Sequence, residues 1–138
     1  MELWHLSGHL LIALAISAFV YIKTKNIRYV FLCLFVSFAI DLDHLFDYWM
    51  AYGLNFNHVN FLRLDFFYIN KKVFVPFHSW ELISLIFILS ATIRKYRWLI
   101  LTIGLAMLGH VLWDAFSYRI AIEDYSLVYR AARDFQVK

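Results

Sequence analysis

The chain has 138 residues, of which 63% are hydrophobic, 20% aromatic and 17% charged. Soluble domains have about 45–50% apolar and about 25% charged residues, so this chain is more apolar and less charged than a soluble domain. Such a composition excludes a disordered chain and favours a small membrane protein. The length predicts one domain over residues 1–138. A single cysteine excludes a disulfide scaffold, and a net charge of +3, with scattered charged residues, does not indicate nucleic-acid binding.

Four apolar stretches predict membrane helices at residues 10–22, 29–40, 82–93 and 98–113. Each is shorter than the roughly 20 residues that span a bilayer, but each reaches about that length when the polar residues at one end are included. The helices of a soluble bundle would carry a charged face, and the first and third stretches have none. The first stretch lacks a preceding basic segment and a cleavage site, so we expect a membrane helix rather than a signal peptide.

Two further segments complete the predicted all-α fold. Residues 52–77 are rich in aromatic side chains without a regular period, and we expect this connection to lie at the membrane interface or to cover the end of the bundle. In the tail after residue 126, apolar residues at helical spacing predict a surface helix without a chemical role. The expected architecture is an integral membrane four-helix bundle with an interfacial 52–77 connection and a C-terminal surface helix.

The basic turns predict the orientation of the helices. Turns 23–28 and 94–97 each contain three basic residues and no acidic residue, so the positive-inside rule places both in the cytoplasm. An even number of spans then places both termini and the 41–81 connection on the opposite side. All ten acidic residues and all six histidines fall on that side. We therefore expect a multi-pass protein of the plasma (inner) membrane with its polar groups on the non-cytoplasmic side.

Many of these ionisable residues form pairs that share one helix face because they are three or four residues apart: His5 with His9, His78 with Glu81, and His110 with Asp114. The segment DLDHLFD, residues 41–47, adds three carboxylates and a histidine after the second apolar stretch. Histidine and carboxylate are ligands of zinc and related divalent ions, and clustered ions suit hydrolysis. The pattern predicts a metal centre among the helix ends.

Single residues of this set also fit plainer roles. A lone intramembrane histidine is usually a hydrogen-bonded interior residue, which is the expectation for His5 taken alone. Asp47 and His58 fit caps or interface residues as well as they fit ligands. The complete set is harder to explain in this way, because ionisable groups near apolar spans are costly and mark functional sites.

Four motifs carry a resemblance to a known family: GHLLIALA (8–15), DLDH (41–44), PFHSWEL (76–82) and GHVLWDAFS (109–117). In content and order they resemble the LexA-regulated, membrane-bound metal-dependent hydrolases, the YdjM-like family, which is thought to be related to zinc-dependent phospholipase C and P1 nuclease. The resemblance covers most of residues 8–117. It implies one to three divalent ions, with zinc as the leading candidate, and a set of metal ligands: His9, Asp41, Asp43, His44, His78, His110 and Asp114.

The chain departs from the family pattern before the third apolar stretch. The family commonly has His-Arg-Gly followed by Thr-His-Ser, whereas this chain has Val-Phe-Val at residues 73–75 and Phe77 in place of the threonine. The departure bears on the number of metals and on catalytic competence, and His58 or Glu81 are candidate substitutes. His5 is not part of the family pattern.

The leading hypothesis is a membrane-bound metal-dependent hydrolase that acts on a phosphoester in an amphiphilic or lipid substrate through a metal-activated water. Asp41, Asp43 or Asp114 is the expected proton acceptor when it is not a ligand. Four basic residues on the same side are expected to hold the phosphate: Arg63, Lys71, Lys72 and Arg119.

Two other hypotheses compete with hydrolysis. In the first, the metal holds the short helices together in a non-enzymatic membrane protein, and a closed, fully protein-ligated site would favour it. In the second, the protein is an ion carrier, which would place ionisable residues in mid-span or on the cytoplasmic side. The sequence does not have that distribution.

Overall fold

The computed structural model describes residues 3–136, and this part of the chain is helical with no β-strand. Glu2, one of the acidic residues assigned to the non-cytoplasmic side, lies outside that range. In chain order the helices are α1 (Leu3–Thr24), α2 (Ile27–Ala39), α3 (His44–Tyr52), α4 (His58–Arg63), α5 (Phe66–Asn70), α6 (Trp80–Thr92), α7 (Arg97–Tyr118) and α8 (Leu127–Ala132). Short 3-10 turns cover Ile40–Asp43, Arg94–Tyr96 and Ile122–Tyr125. The all-α prediction is confirmed.

Three helical stretches are long and apolar enough to cross a membrane: Leu3–Thr24, Ile27–Tyr52 and Arg94–Tyr118. These helical stretches are longer than the apolar runs of the sequence, because the histidines and carboxylates at the ends of those runs are also helical. The helix Trp80–Thr92 is apolar but has only 13 residues, which is short for a span. Membrane-compatible length is therefore confirmed for three of the four predicted helices.

The helix surfaces are apolar where a soluble protein would be polar. Leu11, Phe35 and Ile88 lie on three different helices and are each at least 60% exposed. Large apolar side chains exposed in such numbers are unfavourable in water, and a lipid environment accounts for them.

The basic turn between α1 and α2 is built from local signals. The Thr24 hydroxyl donates to the Val20 carbonyl at 2.8 Å, and Lys25 adopts a positive φ of 53° that ends α1. The Asn26 side chain then accepts a hydrogen bond from the Arg28 amide and begins α2. Two long helices are thus joined by a minimal connection and pack against each other.

Helix α7 is central, since it packs against α1, α2 and α6. Two glycines permit the close contacts. A Cβ on Gly109 would lie 2.8 Å from Ile12 and 2.5 Å from Ile16 of α1, and one on Gly104 would lie 3.1 Å from Ile86 of α6. Small residues at such contacts let helix backbones approach in a membrane.

The 52–77 connection folds over α3 as two short helices, α4 and α5, rather than as an irregular segment. Tyr48 of α3 is fully buried, and its ring contacts those of Phe56, Phe61 and Phe66. The Tyr48 hydroxyl also donates to the Asn55 carbonyl at 3.0 Å. This aromatic cluster fixes the connection against the end of α3.

The C-terminal tail differs from the expected surface helix without a role. Helix α8 is short, and its Arg130 is buried, with only 7% of the residue exposed. The Arg130 guanidinium donates to the carbonyls of Phe74, Val75 and His78. The Phe135 ring stacks on Phe74 with ring centroids 4.6 Å apart. The tail therefore holds the loop that precedes α6.

Candidate metal centre

The structure brings all seven predicted ligands together at one end of the long helices. They come from α1, α7, the 3-10 turn after α2, the start of α3 and the loop before α6: His9, Asp41, Asp43, His44, His78, His110 and Asp114. Helical periodicity accounts for the local pairs, and the packing of α7 against α1 and α2 brings the pairs to one place. Their role as metal ligands stays a prediction.

His5 joins this cluster, although it was expected to be an interior histidine. Its Nε2 atom lies 2.9 Å from His9 Nε2 and 3.4 Å from Asp114 Oδ1. Its Nδ1 atom is 2.8 Å from the Ser117 hydroxyl, which orients the ring. The four-residue spacing from His9 was the feature of the sequence that could have identified it.

Three groups of side chains could each hold one ion, because the ligand atoms within a group lie within 4.8 Å of one another. The pocket-side group, as we name it, contains His5, His9 and Asp114. A second group contains Asp41, His78 and His110, and a third contains Asp43, His44 and His78.

The distances in the pocket-side group suit a small divalent ion. His9 Nε2 is 3.0 Å from Asp114 Oδ1, which closes a triangle with the two distances from His5 Nε2. Two ligands of a tetrahedral zinc ion with bonds of about 2.0–2.1 Å are about 3.3 Å apart. The three atoms are therefore spaced like one face of such a site.

Asp114 joins the first two groups. Its Oδ1 atom faces the α1 histidines, whereas its Oδ2 atom lies 3.2 Å from His110 Nε2 and 3.6 Å from His78 Nε2. Asp41 Oδ1 approaches the same two nitrogen atoms at 3.2 and 3.4 Å. The second group thus has four nearby ligands, and Asp114 can bridge it to the pocket-side group.

Outer contacts orient the ligands. The His110 Nδ1 atom is 2.7 Å from the Ser37 carbonyl, which can only accept, so Nδ1 carries the proton and Nε2 faces the centre. The Nε2 atoms of His110 and His78 are buried and face carboxylate oxygens at 3.2–3.6 Å, but none of these contacts has the geometry of a hydrogen bond. Buried nitrogens of this kind are rare, and an ion between the carboxylates and histidines would satisfy them. The residues present fit a divalent metal.

The charge balance around His78 also favours a cation. Burial by itself would lower the pKa of His78, but the neighbouring carboxylates of Asp41 and Asp43 outweigh burial and raise that pKa above its usual value. The surroundings therefore stabilise positive charge at this point of the centre.

The three candidate proton acceptors differ in accessibility. The Asp41 side chain is 40% exposed, whereas those of Asp43 and Asp114 are 2% and 11% exposed. Asp43 accepts a hydrogen bond from the Phe77 amide at 2.8 Å and lies 3.0 Å from His44 Nδ1. Asp43 is thus enclosed by neighbouring groups, and Asp41 is the carboxylate most open to a substrate.

A pocket lies beside the centre, between the ligand cluster and α4. His5, Asp41, His44 and Asp114 contribute its polar lining. Apolar residues complete the lining: Phe61, Leu62, Leu64 and Tyr118. The pocket-side group and Asp41 thus face a space that is part polar and part apolar, which suits an amphiphilic molecule.

Three further candidate ligands lie outside the ligand cluster. The buried Asp47 carboxylate accepts hydrogen bonds from the Phe74 and Val75 amides, at 3.0 and 3.3 Å, and so fixes the loop before α6. Glu81 accepts from the Leu127 and Val128 amides and the Ser126 hydroxyl, and thereby caps α8. His58 is exposed at the start of α4. The expectation that His58 or Glu81 replaces the absent family histidine is not supported, since neither belongs to a ligand group in residues 3–136.

The basic residues expected to hold a phosphate lie outside the pocket lining. Arg63, Lys71, Lys72 and Arg119 are all absent from the lining of the pocket beside the centre. The Lys72 ammonium lies 2.8 Å from the Asp134 carboxylate. Their role in holding a phosphate stays a prediction.

Comparisons of the chain with protein-family models, curated proteins and solved structures found no match. The resemblance to the YdjM-like family stays a prediction carried by the four motifs. The function of the protein is therefore inferred from the geometry of the centre.

Proposed function

We propose that the protein is a multi-pass four-helix bundle of the plasma (inner) membrane and a metal-dependent hydrolase of phosphoesters in amphiphilic or lipid molecules. The observation that carries this proposal is the position of Asp114, whose two carboxylate oxygens face two different sets of histidines. Such a carboxylate can bridge two ions. Bound divalent ions of this kind supply an activated water and stabilise the charge of a phosphoryl group.

We assign different roles to the residues around the pocket. His5, His9 and one oxygen of Asp114 would hold one ion beside the pocket, and with three protein ligands that ion would have room for water or substrate. The Oδ1 atom of Asp41 belongs to the second group, so the other oxygen of this carboxylate, at the pocket wall, would accept the proton while that group holds an ion. Zinc is the leading candidate because histidine and carboxylate ligands with short spacing suit it.

The second group supports the structural alternative. Asp41, His78, His110 and the other oxygen of Asp114 offer four ligands to one ion, which is the composition of a closed site. Such an ion would join the turn after α2, the loop before α6, and α7. We propose that this ion is mainly structural and that the pocket-side ion performs the chemistry.

The substitution His5→Ala separates the two roles. It removes one ligand from the pocket-side group and leaves the second group intact. Purified protein should contain divalent metal by elemental analysis, and the variant should retain part of it. Hydrolysis of bis(p-nitrophenyl) phosphate should fall by at least about 100-fold, since even an outer-shell partner is worth about 10–100-fold.

Asp134→Ala is the control, because the Asp134 side chain is 71% exposed and pairs with Lys72 at the surface, so its loss should change neither metal content nor hydrolysis. Protein without metal, or hydrolysis that survives chelation, would contradict the proposed function. Full metal content with no hydrolysis of simple or lipid phosphoesters would favour the structural alternative.

A further inference from the structure

A second, apolar cavity lies below the metal centre on the outside of the helices. It is an open groove with α7 as its floor, where Met107 lies, and with α2 and α6 as its walls. Val36 and Ala39 line one wall, and Leu82 and Ile86 line the other. All its lining residues are apolar, and the floor and the α2 wall lie in stretches long enough to cross a membrane.

The upper end of this groove lies beside the metal centre. Ile40, in the turn after α2, lines the groove and is followed directly by the ligand Asp41, which lines the pocket. Phe77 lines the groove from the loop side and is followed directly by His78. The apolar groove therefore ends one residue away from two of the ligands.

We propose that the groove holds one acyl chain of a membrane phospholipid whose phosphoester head lies at the metal centre. This inference rests on the proposed function, and it names the substrate class and the route by which the substrate enters from the bilayer. The surroundings of the groove favour a lipid chain over other occupants, because hydrocarbon is the solvent at this depth.

The groove positions the substrate rather than adding much affinity. Lipid tails are as apolar as the groove, so a chain that moves from the bilayer into it gains little hydrophobic free energy. The head is held by the centre, and the chain in the groove fixes which bond faces the pocket-side group. A chain should therefore occupy the groove mainly when it carries a phosphate head that binds the metal centre.

The test uses metal-loaded protein in nanodiscs of digalactosyldiacylglycerol, a lipid without phosphate, and a hexadecyl phosphate that carries a photoreactive diazirine in its chain. After irradiation, mass spectrometry locates the labelled residues. Label on Leu82, Ile86 and Met107 should exceed label on Leu11 and Leu14, which are exposed on α1, by about tenfold. Excess dodecyl phosphate should suppress the groove label, whereas excess dodecanol should not.

Ala39→Phe fills the groove from the α2 wall, and Ile86→Phe fills it from the opposite wall. Each should remove most of the groove label while metal content stays at the level of the unchanged protein. Ala15→Phe, at an exposed position of α1, is the matched control and should leave the label in place.

Binding of inorganic phosphate to the metal-loaded protein distinguishes failure of the groove proposal from failure of the proposed function. If phosphate binds but the groove is labelled no more than α1, the groove proposal is overturned and the proposed function stands. If phosphate does not bind and dodecanol competes as well as dodecyl phosphate, both are overturned. The groove residues could also remain unlabelled in discs that hold two copies of the protein and become labelled in discs that hold one. That result would show that a second copy occupies the groove, and it would overturn the lipid proposal.

Discussion

At the scale of single residues, Arg130 shows how a position far from the ligands in sequence sets their geometry. Its guanidinium reaches the Phe74 carbonyl at 2.6 Å, the Val75 carbonyl at 3.2 Å and the His78 carbonyl at 3.0 Å. One rigid fork thus binds both sides of the turn that presents His78. Burial lowers the pKa of Arg130, but an arginine keeps its charge in proteins.

We expect Arg130→Lys to weaken metal binding, because an ammonium is a compact donor that cannot reproduce the fork. The loss should also lower the free energy of unfolding by about 1–3 kcal/mol, the usual cost of leaving buried acceptors without donors. Metal titration and thermal unfolding measure the two effects. Arg133→Lys is the matched control, since Arg133 is on the same tail but its guanidinium contacts Asp124 and Tyr129 of the tail itself, at 3.9 and 3.4 Å. Equal behaviour of the two variants would contradict this role of Arg130.

Asp43 is a second residue whose substitution has a specific expected effect. Its enclosed carboxylate contacts His44 and His78 and accepts the Phe77 amide hydrogen bond. Asp43→Ala should remove metal from the third group and destabilise the fold by about 3–5 kcal/mol, as breaking a buried ionic contact does. Elemental analysis and thermal unfolding, compared with Asp134→Ala, check the prediction. Full metal content in Asp43→Ala would show that this ligand assignment is wrong.

At the scale of helices, Gly8 makes the contact between α1 and α7 that sets the pocket-side group. A Cβ at this position would lie 1.9 Å from the Trp113 ring of α7. The Trp113 indole N–H donates to the His5 carbonyl at 2.9 Å. A side chain at residue 8 must therefore displace a ring that holds the first turn of α1.

We expect Gly8→Ala to cost about 1–3 kcal/mol of unfolding free energy, as overpacking usually does, and to weaken metal binding in the pocket-side group. Gly104→Ala on α7 is the comparison, because a Cβ there would lie 3.1 Å from its nearest neighbour, which needs to shift only slightly. Tryptophan fluorescence and metal titration separate the two variants. A Gly8→Ala protein with unchanged fluorescence and metal content would contradict the expected displacement.

The sequence predicted the features that depend on local periodicity. Apolar runs indicated the long helices, and i, i+3 and i, i+4 spacing indicated the histidine and carboxylate pairs that the structure brings together. It did not predict contacts between distant segments. The burial of Arg130 against residues 74–78 and the capping of α8 by Glu81 depend on tertiary packing. His5 was left out of the predicted ligand set because the family pattern does not contain it, although it pairs with His9 in sequence and contacts Asp114 in the structure.

At the scale of the whole molecule, the ligand cluster adds contacts between elements that meet at one end of the long helices. The loop before α6 is tied to α7 and to the turn after α2 through His78. Chelation should loosen this end and leave the opposite, basic end unchanged. Trypsin should then cleave faster after Lys71 and Lys72, with no change after Lys25. Uniform acceleration at both ends, or none at either, would contradict a local role for the metal.

The orientation is a second whole-molecule prediction. Cys33 is the single cysteine and is buried, so Cys33→Ser gives a background without thiols. In intact cells, a membrane-impermeant maleimide should label Leu54→Cys, at a residue that is 83% exposed, and should not label Lys25→Cys until the membrane is opened. The reverse pattern would place the centre in the cytoplasm.

The spread of the ligands along the chain has a consequence for biosynthesis. His5 and Asp114 are separated by more than 100 residues, and Arg130 follows Asp114. The pocket-side group therefore cannot form before α7 has been made, and the loop around His78 gains its Arg130 anchor later still. A nascent chain that has not reached α7 thus lacks the pocket-side group, so this group should acquire its metal only after α1 and α7 have come together in the bilayer.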